Sequence, residues 1–131
     1  MSGISNLNTL LKTMNPELRE GTYVFATVTE NQLQNINPIM VFQEKEGKTA
    51  IITTEQALSQ HIPYETTWSF ITLSVHSNLQ AIGFLAAITK KLAEARISVN
   101  AISAFYHDHL FVPTKRAEDA MHILQKFSSD L

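Results

Sequence analysis

Two short stretches carry residue types that could do chemistry. The first, His76-Ser77-Asn78-Leu79-Gln80-Ala81-Ile82-Gly83, lies between an alternating apolar run and a helical one. A helix starting there offers free backbone N–H groups and the positive end of its dipole, and both suit a carboxylate. Gly83 has no Cβ, so a ligand or a neighbouring strand can come close. The same residues have a plainer use: Ser77 or Asn78 can cap the helix, and Gly83 can simply allow tight packing. The second stretch, His107-Asp108-His109, offers two imidazoles and a carboxylate to a metal. In an extended strand His107 and His109 share a face, and His76 could join them. A metal needs a third or fourth ligand, and no spacing fixes one. The plainer use of these residues is a polar turn at His107-Asp108.

The elements around these stretches follow from periodicity. Ile71, Leu73 and Val75 alternate with Thr72, Ser74 and His76, as in a half-buried strand. Ala81, Leu85, Ile88, Leu92 and Ala95 then form one helical stripe, with Gln80, Lys90, Lys91 and Glu94 away from it. Ile97 to Phe105 alternates again, and Leu110 and Val112 belong to a third strand. Thr114 is a good N-cap for a last helix with Glu118 and Asp119 in its first turn. The first half is less regular. Leu7, Leu10, Leu11 and Met14 predict a short helix stopped by Asn15-Pro16, and Val24, Ala26 and Val28 predict one face of a strand. Residues 29–38 read as loop. Met40 to Lys45 and Thr49 to Thr53 read as a hairpin, and Thr53 with Gln56 as the capping box of a short helix ending before Pro63.

Composition limits the rest. Hydrophobic residues make up 44% and charged residues 17% of the 131, a globular balance with some apolar surface left for a partner. The net charge of −2 gives no electrostatic case for nucleic acid or an anionic membrane. The aromatics Tyr23, Phe25, Phe42, Trp68, Phe70 and Phe105 lie on strands without the basic motif of an RNA platform, so they read as core or interface. There is no cysteine, hence no disulfide and no thiol chemistry. The first residues lack the basic and apolar regions of a signal peptide, and the longest apolar run, Ala81 to Ile88, is far short of the about 20 residues of a membrane span. The expectation is a cytoplasmic protein. No Gly-x-Ser-x-Gly elbow, phosphate-cradling loop or His-Glu-x-x-His helix is present, so no enzyme is expected and no cofactor.

The wording of Ile82-Gly83-Phe84-Leu85-Ala86-Ala87-Ile88, then Leu92-Ala93, then Ile97-Ser98-Val99-Asn100-Ala101-Ile102, resembles the ACT domain, a small regulatory module that binds amino acids. The resemblance covers roughly Ser69 to Phe127, with Gly83 matching the family glycine; the first half resembles the family in topology only. The departures are Gln80 where an acid often stands, Ile82 in place of proline, and Arg96 in place of the glycine before the second strand. The resemblance implies an α+β, ferredoxin-like antiparallel sheet with helices on one face. It implies an amino-acid site formed by Ser77, Asn78, Gln80, Ile82 and Gly83, with Val99, Asn100 and Ala101 as the opposite wall.

The expected organisation is an N-terminal ACT-like half over 1–66 and a C-terminal ACT domain over 67–131. Two such units need eight strands and six are visible, so strand 22–28 is expected to cross over and complete the C-terminal sheet. The expected function is a non-catalytic amino-acid sensor, a homodimer paired through an open sheet edge, signalling to another protein. The alternatives are an interaction module without a ligand and a metal-binding protein using His107 and His109.

Overall fold

The computed structural model describes residues 6–131, so positions 1–5 of the expected N-terminal half lie outside it. The chain forms two compact units: Gly21–Trp68, and the segment ending at Glu20 together with Ser69–Leu131. The expected halves differ from these units: the described residues up to Glu20 belong with the C-terminal unit, and Thr67 and Trp68 belong with the other.

That unit is built from α1 (Leu7–Thr13), β1 (Pro16–Leu18), β5 (Trp68–Leu73), α4 (Phe84–Glu94), β6 (Asn100–Ser103), β7 (Asp108–Pro113) and α5 (Ala117–Ser129). Its strand order is β1-β5-β7-β6. This is the ferredoxin-like arrangement, with the fourth strand supplied from before the first. Strand 22–28, expected in that place, is replaced there by Pro16–Leu18, with the register Pro16↔Leu73, Glu17↔Thr72 and Leu18↔Ile71. Backbone bonds from Ser74 N to Asn15 O (2.9 Å) and Arg19 N to Phe70 O (2.8 Å) extend the pairing. A three-residue strand is too short to show alternation, and its proline reads as a helix stop. Proline is nevertheless allowed as the first residue of an edge strand, where its missing N–H costs no ladder bond.

The core of this unit lies between the sheet and the helices. Ile71, Leu73, Leu110 and Val112 point from the strands at Ile88 and Leu92 of α4, Ala120 and Leu124 of α5, and Leu10, Leu11 and Met14 of α1 and its cap. The short N-terminal helix is therefore a core element. Asn6 caps it through Thr9 N, and Ser128 Oγ donates to Lys12 O at 3.0 Å. α5 begins at Ala117, after a 3-10 turn over Thr114–Arg116, so Thr114 does not cap it as expected. Arg116 instead reaches back to the end of α4, donating to the carbonyls of Ala95 and Arg96 at 3.3 and 3.4 Å. Arg96 itself has φ +60°, a left-handed conformation that favours glycine.

The other unit contains β2 (Tyr23–Val28), α2 (Glu30–Leu33), β3 (Met40–Gln43), β4 (Lys48–Thr53) and α3 (Thr54–Ser59). Strand β2 pairs with β4 over its whole length, from Tyr23↔Thr53 to Val28↔Lys48, and β4 pairs with β3. Trp68, the last residue of this unit, pairs with Tyr23 of β2. Val24, Ala26, Ala50, Ile52, Ala57 and Ile62 form the core. The stretch 29–38, expected as loop, contains a one-turn helix fixed by a reciprocal Thr29–Gln32 capping box. Both units therefore run strand, helix, strand, strand, helix, and both order the strands second, third, first. The similar order of the two halves is a repeat of topology.

Leu10 is fully buried against α4 and α5. Leu10→Ala is expected to cost roughly 2–5 kcal/mol in a urea titration, the cost of a cavity in a packed core. A loss under about 0.5 kcal/mol, typical of surface positions, would show that α1 is peripheral.

Candidate functional site

The loop between β5 and α4 does not cap the helix with a side chain. Asn78 Oδ1 accepts from Gln80 N at 2.9 Å, and Asn78 O accepts from Ala81 N at 2.8 Å, so Asn78 closes a turn inside the loop. Ser77 Oγ donates elsewhere, to Asp108 Oδ2 at 3.2 Å. The N-cap of α4 is Gly83, in the left-handed region at φ +89°, and it makes no side-chain cap bond. Glycine is required there by the backbone angle more than by space, because an added Cβ would meet only Leu7 Cδ2, at 3.5 Å.

Opposite this loop stands Asp108, the first residue of β7. Leu110 and Val112 face the helices, and side chains two apart share a face, so Asp108 also points to that side. It is 6% exposed. The hairpin register Ser103↔Asp108 brings Ser103 beside it, and Ser103 Oγ donates to Asp108 Oδ1 at 2.6 Å. Between loop, helix start and hairpin lies a cavity of ≈ 140 Å³, with Ser77, Asn78, Gly83, Phe84, Ser103 and Asp108 on its wall. Leu79, Ala81, Leu85 and Ala86 complete it.

Of the residues expected from sequence, Ser77, Asn78 and Gly83 line this cavity. Gln80 and Ile82 do not: the turn at Asn78 swings them outward, and Ile82 is 86% exposed. Val99 packs half-buried against the core, while Asn100 and Ala101 are exposed on β6, so none of the three is in the wall. Asp108 and Ser103 were missed. The signal for Asp108 was present in the period of the strand, which continues backwards from Val112 and Leu110; the turn propensity of aspartate concealed it. Ser103 follows only from the hairpin register.

His107 and His109 lie on the other side of β7. Their rings are 6.3 Å apart, centroid to centroid. His109 Nδ1 hydrogen-bonds with Thr72 Oγ1 at 3.1 Å, and Arg19 Nε donates to the same hydroxyl at 3.2 Å. Phe70 stands edge-on to His109 at 5.4 Å. His76 packs instead against Tyr106 and Phe105, at 5.5 and 6.2 Å. Among the described residues no three His, Asp or Glu side chains converge as a metal site. Burial holds the pKa of His109 below its ordinary 6.5; the charges of His107 and Arg19 act in the same direction, and Asp108 opposes them.

Comparison with known proteins identifies the family of these βαββα units. Residues 2–69 and 65–126 each match a family model described as ACT domain. The chain belongs to the ACT domain family, whose members are regulatory ligand-binding modules. A Vibrio cholerae protein of unknown function, described as a possible transport protein, is 42% identical over 97% of this chain and 99% of its own, with TM-score 0.85. An Agrobacterium tumefaciens protein superposes with TM-score 0.73 at 14% identity, over 88% of this chain and 89% of its own. The ligand-free regulatory subunit of aspartate kinase from Thermus thermophilus does so with TM-score 0.68 at 10% identity, over 88% and 97%. At those identities the last two are likenesses of fold. No curated protein matches the chain. No described helix is long and apolar enough to cross a membrane.

The state of His109 has a measurable consequence. Its folded pKa is lowered, so below pH 6.5 the unfolded chain takes up a proton that the folded chain resists. The stability this residue contributes is present above pH 6.5 and is lost as pH falls through the folded value. His109→Gln is expected to lose less stability than the parent between about pH 7.5 and pH 5, read as the shift in urea midpoint. An equal or larger loss in the variant would contradict this.

Proposed function

We propose that this chain is a non-catalytic sensor that binds a small amino acid in the cavity between Ser77, Gly83 and the β6–β7 hairpin. The observation that carries the reading is a helix start without a side-chain cap on the wall of a small polar cavity. The first N–H groups of an 11-residue helix have no partner within the helix and suit an α-carboxylate, and Ser77 and Asn78 line the same cavity. Membership in the ACT family supports the same ligand class. At ≈ 140 Å³ the cavity is well below the roughly 300–1,000 Å³ of sites for drug-sized ligands, which favours an amino acid with a short side chain.

In this reading the signal passes to another protein. A ligand that binds one conformation better shifts the population toward it, and the partner reads that conformation. The chain works as a cytoplasmic homodimer. Strand β6 is an edge with Asn100, Ala101 and Ser103 exposed, the type of edge that a second copy can extend.

A thermal-unfolding screen against the twenty amino acids tests the reading. One of them, at about 100 times its dissociation constant, is expected to add roughly 2.7 kcal/mol of stability. That is a rise of several degrees for a domain of this size. An unchanged transition with all twenty would contradict the sensor reading and leave a ligand-free interaction module in its place.

A further inference from the structure

From the surroundings of Asp108 we infer that this carboxylate is the receptor for the cationic group of the ligand, and that it selects ligands bearing an ammonium. Asp108 is 6% exposed and lies on the cavity wall. Its two hydrogen bonds come from neutral hydroxyls, Ser77 Oγ on one oxygen and Ser103 Oγ on the other. Among the described residues it has no ion pair with lysine, arginine or histidine.

A carboxylate has about four acceptor positions, and two donors leave the others for a further partner. Burying a charge with neutral partners alone is costly, and a complementary charge recovers part of that cost. Here the carboxylate lies on the cavity wall, so a cationic group of the ligand can supply that charge. The two serines hold the carboxylate from two different elements, the β5–α4 loop and the hairpin. An ammonium bound there would be fixed in direction as well as in charge. Asp108 thus supplies the acid that the loop lacks at Gln80, from a strand instead of from the loop.

This assignment rests on the amino-acid reading of the cavity, and one experiment separates the two. The full chain is titrated calorimetrically with the twenty amino acids, with their amides, which keep the ammonium and lose the carboxylate, and with the 2-hydroxy acids, which lose the ammonium. Asp108→Asn is titrated in parallel. Asparagine can keep both serine contacts, as acceptor for one and donor for the other. The expected result is that one amino acid binds and its amide binds more weakly. The matching 2-hydroxy acid and D108N should each lose about 30-fold or more in affinity, the effect of removing one partner of a buried charge pair. Without ligand, D108N should unfold in urea at the same concentration as the parent or higher, whereas a merely structural aspartate would make it less stable. A 2-hydroxy acid that binds the parent as well as its amino acid overturns the role of Asp108 and leaves the sensor reading standing. So does a D108N protein within a few-fold of the parent. Binding of amides without any amino acid keeps the cation site and removes the sensor reading. No binding of either class overturns both. The hydroxy-acid arm uses the parent protein and decides the matter even if D108N fails to fold.

Discussion

The alternation of side chains along β7 is the constraint on which the C-terminal unit depends. Leu110 and Val112 must face α4 and α5 to close the core, and period two then carries Asp108 to the same side, at the end of the sheet where the core gives way to the cavity. A register slip of one residue would bury His109 and Phe111 among the helices and turn Asp108 outward. The apolar packing that stabilises the fold also holds the acid in place. The hairpin register then adds Ser103, and the loop from β5 adds Ser77.

The second constraint is closure of the sheet. Among the described residues no strand follows α5, and one edge of β5 is left for a strand from elsewhere in the chain. Pro16–Leu18 covers it, and α1 comes along as a third helix in the core. Unfolded-chain entropy is spent on a contact between residues more than fifty positions apart, and the apolar burial of Leu10, Leu11 and Met14 offsets it. The unit is thus discontinuous in sequence although it is compact in space.

Much of this was legible in the residues. The stripe Leu85, Ile88, Leu92 and the alternations Ile71–Leu73 and Leu110–Val112 have clean periods, and the structure places each where its period requires. Ser77, Asn78 and Gly83 were legible as loop residues because they stand between an alternating strand and a helical stripe, and the structure puts all three on the cavity wall. What escaped had local chemistry at odds with tertiary demand. Pro16 has the appearance of a stop and begins a strand. Asp108 has the propensity of a turn and lies buried in a strand. Gln80 and Ile82 have the right spacing from Gly83, but the turn at Asn78, fixed by its own side chain, points them into solvent. The wall expected at Val99, Asn100 and Ala101 lies elsewhere because the hairpin register brings only Ser103 beside Asp108.

The central claim is that the cavity between the β5–α4 loop and the β6–β7 hairpin is where the ligand binds. The most direct measurement is a backbone amide NMR titration of the full chain with the twenty amino acids in pools. The account predicts shifts concentrated at residues 77–86 and 103–108. Shifts confined to other surfaces, such as the face carrying His107 and His109, would contradict it.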